Sequence, residues 1–368
     1  MKQISSLELN FLMTELSILE NSKVENIYNY GNEQFILQFY KSNFGKLILK
    51  IILGKVVYIS AKKENDETPS NFCNALRKNI GGKFLTSVRQ IKPERIIRLV
   101  FKSTEEIKTL CLEFFGEGNL IITDSEDTIL QALSYHKFKD RNVVPKVKYV
   151  YPKMRHNIFD INEKGLGEIF FNSNKDKIVT SLAIELGAGG VYSEEVCTLS
   201  KVDKTINPKQ ISEEDLSSIF KSIRKILNKE INPMGIFNED KIIDAIPFEL
   251  AFYNQFIKKP FVKFSEALDF YYSNFTPKQK TEHENRLENL KRIIEEQKAT
   301  LDELKTEESD LRDKGEAIYH NHMLINNILL EINNLVKKKS LEEIRQKLKE
   351  HKLIRSIDLK DKSIEVEI

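Results

Sequence analysis

Three glycines in four positions, Gly187, Gly189 and Gly190 around Ala188, place the tightest restriction on how this chain can fold. Leu182, Ala183 and Leu186 form an apolar face that stops there, and Val191, Val196 and Leu199 begin another. Two helices meeting across such a run need backbone conformations that a Cβ would obstruct. The run also leaves bare the amides that open the second helix, so a phosphate oxygen can approach them closely. With Ser193 at a small-residue position, the pattern fits a helix-hairpin-helix that grips nucleic-acid backbone without reading sequence. It also fits a tight corner packed for its own sake. Glu194 and Glu195 favour the second reading, because carboxylates at that place oppose a phosphate.

Upstream, Ser5 and Glu8 have the spacing of a capping box, opening a helix with an apolar stripe of Leu9, Leu12, Met13, Leu16 and Leu19. Strand-like runs over 24–30, 34–40, 46–53 and 56–60, separated by short turns, predict an antiparallel meander. A short helix starting at Pro69 ends at Gly81 and Gly82, and four more strands are expected over 84–90, 95–102, 109–115 and 119–123. Alternation puts Arg95 on the strand face that carries Ile97, Leu99 and Phe101. An arginine there sits at an exposed strand end or pairs with a carboxylate or phosphate. Glu8 is a candidate partner, although its capping role explains it equally well.

From about 175 to 259 the pattern reads as helical, with one clear amphipathic helix over 211–228 and a further short helix over 264–275. Leu287, Leu290, Ile294, Leu301, Leu304 and Leu311 then follow a heptad. Asp313, Lys314 and Gly315 are expected to break it. A second helix carries Ile318, Ile325, Ile328, Ile332 and Leu335, and a shorter piece carries Leu341, Ile344 and Leu348. So short a break predicts an antiparallel pair. Runs over 354–359 and 364–368 read as a closing β-hairpin. The expected class is α+β in three regions: a β-rich 1–172, a helix-hairpin-helix 173–262 and a coiled coil with its hairpin 263–368.

Charged residues make up 30% of the chain, yet the net charge is only +2, so a nucleic-acid partner must be met by a local patch. Such a patch lies within 136–156, where Lys137, Lys139, Arg141, Lys146, Lys148, Lys153 and Arg155 face the single acid Asp140. Phe138, Tyr149 and Tyr151 are interleaved, and cations among aromatics hold single-stranded or looped RNA. A solvated strand and loop tolerates the same lysines. Cys73, Cys111 and Cys197 lie far apart, and the six histidines show no metal spacing, so free thiols and no metal are expected. Neither a phosphate loop nor a nucleophile elbow occurs, and no cofactor is implied. No window reaches the apolar length of a membrane span, and the first residues lack the core of a signal peptide. A cytoplasmic protein is expected.

Together the runs 69–78, 93–97, 112–124, 141–149, 264–269 and 356–368, with the glycine corner, resemble the NFACT family, related to NEMF and RqcH, in its archaeal branch. The resemblance covers essentially the whole chain. It implies an N-terminal domain similar to formamidopyrimidine-type DNA glycosylases, then a helix-hairpin-helix, then a long coiled coil. It implies binding to obstructed large ribosomal subunits (rRNA) that carry peptidyl-tRNA. Recruitment of incoming tRNA, mainly alanyl-tRNA, then extends the stalled chain without mRNA. The chain is not an enzyme on this reading, because the ribosome makes the peptide bond, and the coil is available to protein partners. The family's functional acid falls on Glu8, and its acid–arginine pair falls on Glu94 and Arg95. Asp is usual at both acidic positions, so each Glu is a departure. Family members also continue into a C-terminal RNA-binding domain, which 368 residues do not reach. Two alternatives stand beside this one. A glycosylase-like repair protein needs an N-terminal proline nucleophile, where Lys2 and Gln3 stand. A coiled-coil scaffold or adhesin needs only the arm.

Overall fold

The computed structural model describes residues 1–61, 68–138, 140–152, 156–275, 282–336, 353–358 and 363–366. They fall into two compact units, Met1–Thr276 and Pro277–Ile368.

The first unit opens with α1 (Ser6–Leu16), started by the capping box: Ser5 Oγ accepts the Glu8 N–H at 3.1 Å, and Glu8 Oε2 accepts the Ser5 N–H at 2.8 Å. This helix divides its apolar side chains between two cores. Leu9, Leu12 and Leu16 enter one, while Leu7 and Phe11 enter the other. The first core lies against a nine-stranded antiparallel sheet. Its strands are β1 (Ser22–Tyr30), β2 (Gln34–Lys41), β3 (Gly45–Ile52) and β4 (Val56–Ser60), then β5 (Phe84–Gln90) and β6 (Ile96–Lys102) after helix α2 (Asn71–Ile80). β7 (Ile107–Glu113), β8 (Asn119–Thr123) and β9 (Ile129–Ala132) complete it, in the order 4-3-2-1-5-6-7-8-9.

Two meanders are joined at one thin seam, since β1 and β5 pair only through Ser22–Leu85 and Lys23–Phe84. They touch again where the β3–β4 and β7–β8 turns meet. A Cβ on Gly118 would lie 2.2 Å from the Gly54 nitrogen, so only glycine allows the backbones this close. Phe35, Phe39, Phe101 and Phe114 are fully buried in the first core or at its edge. The second core gathers around α3 (Glu163–Phe171), α4 (Ile178–Ile184), α5 (Gly190–Ser200) and α6 (Glu213–Leu227), after a small pair of strands, β10 (His136–Lys137) and β11 (Asn142–Val143).

The stretch read as helical to 259 instead ends in a three-stranded antiparallel sheet. Its strands are β12 (Met234–Asn238), β13 (Lys241–Ile246) and β14 (Ile257–Pro260), in the order 13-12-14. Short apolar runs suit strand and helix alike, and here Glu239 in the left-handed region (φ +53°) turns the chain between β12 and β13. α7 (Phe264–Phe275), grouped with the coil by its sequence, buries Phe264, Leu268 and Tyr272 in the first core.

In the second unit, α8 (Glu282–His320) is one helix of 39 residues, roughly 60 Å long at 1.5 Å per residue. The break expected at Asp313–Gly315 is absent. A lone glycine costs a helix only about 1 kcal/mol, and nothing crowds Gly315. The interruption falls instead at Asn321, before α9 (His322–Val336). Helical hydrogen bonds cross even that residue: the Asn321 N–H reaches Ala317 O at 3.1 Å and the Ile325 N–H reaches Asn321 O at 3.0 Å. The short reversing loop that was to make an antiparallel pair is therefore not formed. Leu290, Ile294, Leu301, Leu304 and Leu311 on the expected seam are each at least half exposed. Leu341, Ile344 and Leu348 lie outside the described residues. β15 (Ile354–Asp358) and β16 (Ser363–Val366) pair antiparallel, with Ile357 opposite Ile364.

Candidate functional site

Because α1 serves the two larger cores of the first unit, its N-terminal end lies where the sheet region meets the helical region. A cavity of about 530 Å³ opens there. Glu8, Glu94, Arg95, Gly187, Gly189 and Gly190 all line it, so residues widely separated in the chain are brought to one place. Lys2, Asp244 and His156 line it as well.

The glycine corner is built as its sequence demands. Gly187 and Gly189 lie at φ +75° and +80°, and α5 begins at Gly190 with no side chain capping its amides. Ser193 is fully buried, and its hydroxyl donates to Gly189 O at 2.8 Å, closing the turn from within. The two carboxylates that spoke against a phosphate are engaged elsewhere. Glu195 is buried and accepts the Phe252 N–H at 2.9 Å, while Glu194 pairs with Lys204 at 3.0 Å.

The 93–95 turn is fastened to the start of α1. Gln90 Nε2 donates to Ser6 O at 3.0 Å and to Glu94 O at 3.1 Å, and the Ser6 hydroxyl donates to Pro93 O. Arg95 is therefore held at the rim, partly buried, with Nη1 3.5 Å from Gln3 Oε1. Burial draws its guanidinium below the ordinary value, and the neighbouring Glu94 carboxylate opposes that shift. The strand starts one residue later than expected, and both Ile96 and Ile97 are buried, so simple alternation does not describe this end of it. The suggested Arg95–Glu8 pair is not formed.

Glu8 is held instead by Lys2, which sequence reasoning passed over. The Lys2 ammonium donates to Glu8 Oε1 at 2.5 Å, Asp244 Oδ1 at 2.6 Å and Ala245 O at 2.8 Å. Tyr192 OH donates to Glu8 Oε1 at 3.2 Å, and Tyr253 OH to Asp244 Oδ2 at 2.5 Å. Burial acts to lower the pKa of the ammonium, but Asp244 and Glu8 together outweigh it and hold Lys2 well above its ordinary value. Burial and the same carboxylates push Tyr192 and Tyr253 upward, so both remain donors. One signal could have exposed Asp244. On β13 it pairs with Ile236 and shares its face with Ile246, both in the second core, and an acid on an apolar face needs a cation.

Of the basic segment's described cations, Lys137, Arg141, Lys146 and Lys148 do not line this cavity, although His156 at its end does. Arg141 is buried, with Nη1 2.5 Å from Glu113 Oε1 and Nη2 2.9 Å from Oε2, and Tyr149 OH donates to the same carboxylate at 2.7 Å. Arg141 is thus a structural cation of a second cavity of about 440 Å³, not a surface phosphate contact, and Tyr149 is buried with it. Lys137, Lys146 and Lys148 are exposed and remain available. Lys139, Lys153 and Arg155 lie outside the described residues.

Among the described residues no group of three or more His, Cys, Asp or Glu side chains is placed to hold a metal ion, and no helix is long and apolar enough to cross a membrane. The cavity offers a guanidinium and a run of bare amides, the donors that suit a phosphate backbone. Glu8 is fully occupied by Lys2, Ser5 and Tyr192, which suits positioning better than proton transfer.

The family described as NFACT N-terminal and middle domains matches residues 6–340. The archaeal Rqc2 homolog aRqcH of Methanocaldococcus jannaschii is 27% identical over 369 residues, covering 95% of this chain and 55% of that protein. Human ribosome quality control complex subunit NEMF is 24% identical over 358 residues, covering 83% of this chain and 32% of that protein. The chain spans about half the length, or less, of the curated relatives it matches. Among solved structures, the N-terminal part of the fibronectin/fibrinogen-binding protein from Streptococcus suis aligns with a TM-score of 0.59 at 21% identity, over 74% of this chain and 100% of that one. The fibrinogen binding protein from Staphylococcus aureus aligns at 0.60 and 19%, over 73% and 98%. These two show a shared fold.

Proposed function

The chain belongs to the family of NFACT N-terminal and middle domains, and from that premise we propose that it is a cytoplasmic ribosome quality-control factor. It binds obstructed large ribosomal subunits carrying peptidyl-tRNA and recruits tRNA, alanyl-tRNA foremost, for extension of the stalled chain without mRNA. The observation that carries this reading is the convergence of Glu8, Glu94, Arg95 and the glycine corner on one cavity. Arg95 and the amides at the start of α5 take phosphate oxygens, while Glu94 and Glu8 shape the floor and rim. Exposed Lys137, Lys146 and Lys148 add salt-sensitive contacts to RNA backbone. The long helix α8 serves docking on the subunit or on protein partners. No bond-making step falls to this chain, because the ribosome supplies the peptidyl-transfer centre.

Cosedimentation with large subunits carrying peptidyl-tRNA tests the division of labour. Arg95→Ala is expected to abolish tRNA recruitment and to leave subunit docking intact. Equal loss of both, or of neither, contradicts the proposal. Failure to bind any RNA at moderate salt favours the adhesive alternative. The glycosylase alternative finds little support at residue 2, where the amine is locked between two carboxylates.

A further inference from the structure

We propose that Lys2 and Asp244 are positioning residues for the Glu8 carboxylate in RNA recruitment, a role that rests on the function argued above. A lysine ammonium has three N–H donors, and in Lys2 all three are taken, by Glu8, Asp244 and Ala245. None is left for a ligand, so Lys2 acts through Glu8. Its place is fixed at the backbone too. The Lys2 N–H donates to Tyr271 OH at 2.9 Å, and Tyr272 OH donates to Lys2 O at 2.7 Å, both from α7.

One buried ammonium stands between two buried carboxylates, so the cluster carries a surplus negative charge. Without the nitrogen, Glu8 and Asp244 would repel each other at short range. Glu8 would then keep only the Ser5 N–H and Tyr192 OH as donors, and its carboxylate would move from the cavity floor. The ammonium thus ties the β12–β13 hairpin to the start of α1, and through Tyr192 to the glycine corner. Residue 2 coordinates the walls of the cavity.

The test is a double-mutant cycle in the cosedimentation assay with alanyl-tRNA, with thermal melts of every variant. Lys2→Met is expected to lower tRNA recruitment about tenfold or more while subunit docking is retained. In a Glu8→Gln background, the same substitution is expected to cause no further loss of recruitment, because the group it positions is already altered. A general folding defect would instead lower recruitment by the same factor in both backgrounds, which overturns the proposal. Wild-type recruitment by Lys2→Met overturns it as well. Should Lys2→Met fail to fold, Asp244→Asn replaces it in the cycle, since it removes one charge and keeps an oxygen for Lys2 and Tyr253. If Glu8→Gln recruits normally while Arg95→Ala does not, this proposal falls and the function stands. If both recruit normally, the function falls with it.

Discussion

Arg141 and Glu113 meet in a two-pronged ion pair, with side chains only 6% and 4% exposed. Removing one partner strands a buried charge, whereas removing both does not. Arg141→Met is therefore expected to lose roughly 3–5 kcal/mol of stability, and Arg141→Met with Glu113→Leu to recover much of it. Denaturant midpoints of the two variants check this. An unchanged midpoint in the single variant would return Arg141 to the RNA-facing surface where its sequence context put it.

Gly118 and Gly187 both lie at positive φ, +82° and +75°, but only Gly118 touches another backbone. A methyl group there would meet the Gly54 nitrogen at 2.2 Å, while one on Gly187 would meet nothing within 4 Å. Gly187→Ala is expected to cost about 1–2 kcal/mol of left-handed strain. Gly118→Ala must add the separation of two turns and should unfold well below it in temperature. Equal melting temperatures would show that the two turns can part freely.

Adjacent acids on α5 serve different ends. Glu195 is buried and holds the Phe252 N–H, so Glu195→Ala orphans that donor and is expected to cost about 1–3 kcal/mol. Glu194 forms a solvent-facing pair with Lys204, so Glu194→Ala should change stability by less than about 1 kcal/mol. Chemical denaturation of the two variants separates these roles.

The sheet was legible because its strands alternate and its turns carry glycine, and the corner because three glycines admit few geometries. What the sequence hid was non-local. Lys2 reads as an unremarkable charge until β13, more than two hundred residues later, delivers Asp244 to its nitrogen. Arg141 sits in a run of lysines and shares their look, yet Glu113 on β7 draws it inside. The heptad marks a long helix, but Asp313, Lys314 and Gly315 do not break it, because a helix of this length absorbs one glycine. Charge counts along a chain do not say which cation a distant acid will claim.

Glu106 gives the clearest pH signature. Hydrogen bonds from Lys108, then from Lys83, lower its carboxyl from an ordinary 4.5 to about 2. A lowered carboxyl stabilises the fold above its unfolded value and loses that contribution as pH falls through the folded one. The advantage of wild type over Glu106→Gln is thus expected in full at pH above 4.5 and gone by about 2. The group lies at the surface, so added salt should shrink the difference. Unfolding curves at several pH values, with and without salt, measure it.

An amine attacks a carbonyl carbon only in its neutral form. Asp244 and Glu8 keep Lys2 charged against the pull of burial, so Lys2 should yield no borohydride-trapped adduct with an abasic duplex at neutral pH. The same balance makes a sharper forecast. In Glu8→Gln with Asp244→Asn both anions are gone, and burial alone acts on the amine, lowering its pKa. Lys2 lines the open cavity, where a small acylating reagent can reach it. Peptide mass spectrometry after brief acylation at pH 8 should find Lys2 unmodified in wild type and modified in the double variant. Equal labelling of both proteins would mean that the two carboxylates do not govern the proton on residue 2.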